Sequence, residues 1–113
     1  MKLRNMSATV STEESITLKL RNGEVVKLEN ATVLTSYASR VAVYCKMQVF
    51  LLPRYCYSIT TWKHLHAFID DYCPGVRDYS ANEMRRIAKN KLNGGEYQFA
   101  KGIVLPSGNV EFY

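Results

Sequence analysis

The chain has 113 residues, the size of one small domain with a modest core that needs no disulfide or metal to support it. Its 47% hydrophobic and 22% charged residues exclude disorder, and no apolar run approaches the roughly 18–20 residues of a membrane-spanning helix. The formal net charge of +5 favours anionic partners, such as nucleic acid or an acidic protein surface, and equally serves solubility.

The chain begins with a segment that has no clean period. Residues 1–14 are predicted to form a loose or edge-strand tail, which leaves residues 15–113 as a single domain. Apolar and polar residues then alternate over 16–21, which predicts a half-buried strand. Asn22-Gly23 predicts a hairpin, because both residues tolerate the positive φ of a type I′ turn. The following EVVKLE segment is the predicted return strand.

A second hairpin is predicted further along the chain. Residues 40–45 and 48–52 are rich in β-branched and aromatic residues, and the connection between them is predicted at Lys46-Met47. Residues 33–37 are a further short strand candidate that precedes them. Pro53 ends the run, because proline cannot donate to a strand ladder.

A first helix is predicted to begin near Thr60, where the hydroxyl of Ser58 or Thr60 accepts from orphan amides of the first turn, and to end at Cys73-Pro74-Gly75. A projection at about 100° per residue separates an apolar face from a polar one, which predicts a helix packed on a sheet. The apolar face holds Trp62, Leu65, Phe68, Ile69 and Tyr72. The polar face holds Lys63, Ala67, Asp70 and Asp71.

A second helix is predicted over 80–92, because Ser80 and Glu83 form a capping box and Asn93-Gly94-Gly95 ends the pattern. Short strands over 96–105 and 109–113 follow. The predicted fold class is therefore α+β: an antiparallel sheet of two N-terminal hairpins, two helices and a short C-terminal hairpin.

Zinc ligands are present by type but not by spacing. The candidates are Cys45, Cys56, Cys73, His64 and His66. His64 and His66 are two positions apart on the predicted helix, so their side chains point about 200° apart and cannot share one ion. We expect no metal and no cofactor. The odd number of cysteines and the lack of an N-terminal apolar signal segment predict free thiols and a cytoplasmic location.

Nucleophilic catalysis would require a base beside an activated cysteine or serine. Cys56 and His64 are separated by a helix cap and one turn, so contact between them is feasible. No third orienting group is identifiable and no elbow motif surrounds Ser58. We therefore expect a protein that is not an enzyme, and a Cys/His hydrolase stays as the less favoured alternative.

Basic residues supply the candidate partner contacts. No acidic residue occurs between Glu29 and Asp70, and a second basic group follows at residues 85–91. The predicted contacts are Arg85, Arg86 and Lys89, which share one sector of the second helix, and Lys63 and His64, which share the exposed flank of the first. Such a surface suits an acidic protein or a phosphate backbone, and a merely solvated face is the alternative.

The segment Tyr57-Ser58-Ile59-Thr60-Thr61-Trp62-Lys63-His64-Leu65, with the preceding strand over 40–44, resembles a small domain of unassigned function that occurs in proteins of bacteriophages and mobile elements. The resemblance covers residues 37–70, and Trp62 stands where a small polar residue is expected. It carries no catalytic residues. It implies a stoichiometric binding protein that inhibits a host defence nuclease, as anti-CRISPR proteins do, with a CRISPR effector among the host targets. A small basic nucleic-acid-binding accessory protein is the alternative.

Overall fold

The computed structural model describes residues 7–20, 23–37, 39–52, 59–77, 100 and 102–112. In these ranges six strands form one antiparallel sheet in the order of the chain, and one helix lies between the fourth and fifth strands. The strands are β1 (Ala8–Lys19), β2 (Val25–Ser36), β3 (Ser39–Cys45), β4 (Gln48–Leu51), β5 (Gly102–Val104) and β6 (Val110–Phe112). The helix is α1 (Ile59–Tyr72).

The predicted α+β class with two helices is wrong, because the described part of the chain is largely β and contains one helix. The second helix, predicted over 80–92, lies outside the described residues. The described part contains more strand than predicted mainly because of β1 and β2, which have 12 residues each. Residues 8–14, predicted as part of a loose or edge-strand tail, belong to the edge strand β1.

Strand β2 joins two segments that the sequence analysis kept apart, the return strand after Gly23 and the short strand over 33–37. Asn30 lies between them with φ 52, a left-handed conformation that asparagine adopts more readily than most residues. Pairing with β1 continues on both sides of it. Leu28 and Ala31 belong to the same buried cluster although they are three positions apart. The alternation of faces therefore shifts by one residue at Asn30.

The β1–β2 connection differs in type from the predicted two-residue turn. The Gly23 amide donates to the Leu20 carbonyl at 3.0 Å, and the Leu20 amide donates to the Glu24 carbonyl at 2.8 Å. These bonds enclose three residues and make Gly23 the last of them, at φ 89. Glycine suits that position because it has no Cβ to clash at positive φ. The hairpin exists, but its connection has three residues rather than the predicted two.

The hairpin predicted to turn at Lys46-Met47 is confirmed. Cys45 pairs with Gln48, so two residues form the connection, and both have positive φ, 49 and 63. Neither is glycine, and a left-handed residue of that kind costs about 1–2 kcal/mol. A two-residue hairpin requires this geometry because it matches the right-handed twist of the strands.

Buried side chains form two clusters on opposite faces of the sheet, as the alternation in β4 shows. Val49 and Leu51 belong to the cluster on the helix side, and Phe50 belongs to the cluster on the other side. Helix α1 contributes Leu65, Ala67, Phe68 and Ile69 to the helix side, and Cys73, which follows the helix, belongs to the same cluster. Ala67, predicted on the polar face, is thus buried, whereas the predicted exposure of Lys63, Asp70 and Asp71 is confirmed.

Candidate functional site

Three polar side chains meet in the interior where β2 ends and α1 begins. His64 Nδ1 lies 2.7 Å from Ser36 Oγ, and the same oxygen lies 3.3 Å from Thr61 Oγ1. His64 is 0% exposed, Thr61 1% and Ser36 3%. We call these three residues the Ser–Thr–His cluster. They join two elements that are distant in sequence, so the cluster holds α1 against the end of the sheet.

Local structure explains how these groups come together. Thr61 and His64 are three positions apart in α1, which places them on neighbouring points of one helix face. Ser36 is the last residue of β2 and pairs with Ser39 across the turn into β3. The turn residue Tyr37 has φ 55, and its amide donates to the Ser7 carbonyl at 3.0 Å. The end of β2 is therefore fixed from both sides of the strand.

The imidazole of His64 is neutral in this environment. Burial lowers the pKa of His64 from its ordinary value, because an apolar interior disfavours the charged ring. A neutral imidazole has one donor and one acceptor nitrogen, and Nδ1 is used by Ser36. Nε2 is buried and has no hydrogen-bond partner in the part of the chain that the structure describes. A buried polar atom without a partner is uncommon in a folded protein, and it lowers the free energy of unfolding.

Tyr37 links this interior to the surface. Its ring centroid lies 5.8 Å from that of His64, with the planes tilted by 57°. The residue is nevertheless 60% exposed. It is also a bulky aromatic in a left-handed conformation, which for such a residue is a genuine outlier. Because Ser36 pairs with Ser39, Tyr37 lies in a two-residue connection like Lys46-Met47, and such a connection favours positive φ.

The Ser36–His64 pair has the separation of a nucleophile and its base, but its surroundings do not support acyl transfer. Both side chains are enclosed, so a substrate carbonyl does not reach Ser36 Oγ in this conformation. In a catalytic triad the second imidazole nitrogen contacts an orienting carboxylate. Here Nε2 has no partner. The arrangement serves to attach α1 to β2.

The structure describes two of the five predicted partner contacts, Lys63 and His64. Lys63 is exposed on α1, as predicted. The predicted exposure of His64 is wrong, because the imidazole points into the Ser–Thr–His cluster. Arg85, Arg86 and Lys89 lie outside the described residues, and so does Cys56, so the suggested Cys56–His64 pair is not tested. In the acid-free stretch, Arg40 forms an ion pair with Glu13 of β1, and its Nη1 donates to Oε2 at 3.3 Å.

The two described cysteines are buried free thiols on opposite sides of the sheet. Cys45 donates to the Glu29 carbonyl at 3.4 Å, and burial raises the pKa of the Cys73 thiol. A thiol that resists ionisation is a poor nucleophile and a poor metal ligand. Within the described ranges, no group of three or more His, Cys, Asp or Glu residues is arranged to hold a metal ion.

Ser36, Thr61 and Tyr37 were missed as site residues. Part of the signal was present, because Thr61, His64, Leu65 and Phe68 follow the i, i+3, i+4, i+7 spacing of a buried helix stripe. The contact of His64 with a serine 28 positions earlier has no local sequence signature.

In the described part of the chain, no helix has the length and apolar character needed to cross a membrane. Searches of curated proteins and of solved structures gave no match to the chain. Residues 1–89 match the model of a family of unknown function, DUF8033. That match covers well over half of the 113 residues, so the chain belongs to the DUF8033 family.

Proposed function

We propose that this protein is a non-enzymatic binding protein of phage or mobile-element type that inhibits a host defence nuclease by covering its surface in the host cytoplasm. The target class rests on the resemblance of the Tyr57–Leu65 segment to phage-encoded domains. The binding mode rests on Tyr37. An aromatic that is 60% exposed and whose ring contacts that of His64 is the observation that carries the proposal.

Tyr37 has the properties of an interface anchor. Aromatic residues are enriched in the cores of protein interfaces, where a rigid ring buries a large area at low entropic cost. The contact with His64 restrains the ring before any partner arrives. Lys63, the residue before His64, is exposed on α1 and adds a positive charge to the surface of that helix. An acidic surface on the target suits both.

The predicted basic residues Arg85, Arg86 and Lys89 extend this proposal. The described strands carry acidic as well as basic side chains, for example Glu13 paired with Arg40. The excess of positive charge in the whole chain, +5, therefore draws on segments such as 85–91, which holds four basic residues and no acidic one. Replacing Arg85, Arg86 and Lys89 with Glu reverses three charges, and we expect it to suppress docking on an acidic target.

Tyr37→Asn tests the anchor and separates binding from stability. Asparagine tolerates a left-handed φ better than tyrosine, so we expect the melting temperature to stay within about 4 °C of the wild type. Target binding should fall at least about tenfold, since loss of an interface anchor costs on the order of 2 kcal/mol. Val25→Thr is the matched control: Val25 is 61% exposed at the other end of β2, and binding should be unchanged.

The assay is capture of target from host lysate, followed by a nuclease-inhibition measurement with the purified target. Full inhibition by a folded Tyr37→Asn protein would refute the anchor. A nucleic-acid-binding protein would behave differently: capture would be lost after nuclease treatment of the lysate, and affinity would fall steeply with salt.

A further inference from the structure

The Ser–Thr–His cluster contains a buried titratable group that the proposed binding role does not use. His64 is 0% exposed and its Nε2 has no hydrogen-bond partner. A protonated imidazole has two N–H donors and carries a charge. Ser36 Oγ can accept one of those donors, and Nε2–H would remain buried without an acceptor. The closed cluster therefore accommodates only the neutral ring.

The described groups that contact the ring carry no compensating charge. Among the described residues, the His64 ring contacts the Ser36 hydroxyl of β2 and the ring of the turn residue Tyr37, and Ser36 is shared with Thr61 of α1 itself. All three are uncharged in the range where histidine titrates. The nearby charged side chains among the described residues are exposed or paired elsewhere. They are Lys63, Asp70 and Asp71, which are exposed on α1, and Arg40, which pairs with Glu13.

We propose that the Ser–Thr–His cluster is a pH-sensitive clasp: protonation of His64 opens it and releases the start of α1 from the turn at Tyr37. Two features make a local opening the expected response. The clasp lies at the ends of β2 and α1 rather than in the middle of the sheet. The turn residue Tyr37, whose ring contacts that of His64, is 60% exposed, so this side of the clasp borders solvent.

The direction of the effect follows from the chemistry. Burial holds the pKa of His64 in the closed clasp below the value of about 6.5 that an open, solvated ring has. The clasp is therefore fully stabilising above pH 6.5 and loses its stabilising effect as the pH falls below that value. Because the open state binds one more proton, the opening equilibrium constant should rise by up to about tenfold for each pH unit below 6.5.

Amide hydrogen exchange between pH 8 and pH 5, corrected for the intrinsic pH dependence, measures this opening residue by residue. We expect protection of the amides of Leu65 and nearby α1 residues to fall below pH 6.5. Protection of Val43 and Phe50 in the middle of the sheet should change much less. An equal loss at both places would show global unfolding and would overturn the clasp.

Two variants identify the titrating group. His64→Gln keeps a polar side chain for Ser36 but does not titrate, so the pH dependence should disappear. His66→Gln removes the other histidine, which is only half-buried, and should leave the pH dependence unchanged. A pH-dependent opening that survives in His64→Gln or vanishes in His66→Gln would overturn the assignment.

A measurement on the wild type keeps the proposal falsifiable if His64→Gln does not fold. In the folded protein the ¹⁵N shifts of the His64 ring should report a neutral imidazole at pH 6.5. A His64 ring that titrates with an ordinary pKa while α1 stays protected would refute the proposal.

Acid release of a target held by Tyr37 would be a consequence that rests on the proposed function. Hydrogen exchange needs no target, so the two proposals can fail separately.

Discussion

Gly75→Ala probes the contact between the loop after α1 and the β3–β4 turn. Gly75 has φ 83, and an added Cβ would lie 2.8 Å from Cε and 2.9 Å from Cγ of Met47. The left-handed backbone costs an alanine about 1 kcal/mol. The Met47 side chain is flexible, so it moves aside at a further cost of about 1 kcal/mol for a poorer rotamer and lost packing. We expect a total loss of about 2 kcal/mol.

Gly23→Ala is the matched control, because its φ of 89 is similar and nothing lies within 4 Å of an added Cβ. It should lose only the backbone part, about 1 kcal/mol. In the Met47→Ala background, Gly75→Ala should cost only the backbone part of the unfolding free energy, because the Met47 side chain no longer has to move aside. The difference between these variants measures the Met47–Gly75 contact as a double-mutant cycle does.

The assay is urea unfolding followed by circular dichroism, with the midpoint compared at constant m-value. A loss of 1 kcal/mol corresponds to about 4 °C in melting temperature for a domain of this size. Equal losses for Gly75→Ala and Gly23→Ala would refute the reasoning, since the Met47 contact would then contribute nothing. The same conclusion would follow if Gly75→Ala lowered the unfolding free energy as much in the Met47→Ala background as it does in the wild type.

Two further substitutions test the turn strain and the helix-side core. Lys46→Asn should raise the unfolding free energy by about 0.5–1 kcal/mol, because asparagine tolerates the φ of 49 better than lysine does; a lower melting temperature would contradict the turn geometry. Phe68→Ala should lower the unfolding free energy by about 3–5 kcal/mol in urea titrations, because a fully buried ring leaves a cavity, and a loss below 1 kcal/mol would show that α1 does not pack on the sheet.

Features with local signals were the ones that the sequence predicted well. The start and end of α1 were predicted from the hydroxyls of Ser58 or Thr60 and from Cys73-Pro74-Gly75, and these predictions agree with Ile59–Tyr72 within a residue or so. The turn at Lys46-Met47 was found because two β-rich runs flank a two-residue gap. Both signals involve residues within a few positions of each other.

The features that were missed depend on distant contacts or on a local exception. Asn30 interrupts the period of β2, so one strand resembled two short ones. His64 was assigned to the exposed flank because a helix projection contains no information about which strands pack against the helix. Its position is decided by Ser36, which lies 28 positions earlier. The contacts that bury His64 could therefore be found only from the fold.

The irregularity at Asn30 also constrains how this hairpin can change length. Removing Asn30 would place Leu28 and Ala31 two positions apart, the spacing that a regular strand keeps on one face. Removing Glu14, which lies opposite between the Glu13–Ala31 and Ser15–Glu29 pairs, would preserve the register. A pair of single-residue deletions would thus shorten both strands while leaving the same side chains in the same cores. Relatives of this chain can therefore differ here by one residue in each strand and still share its interior.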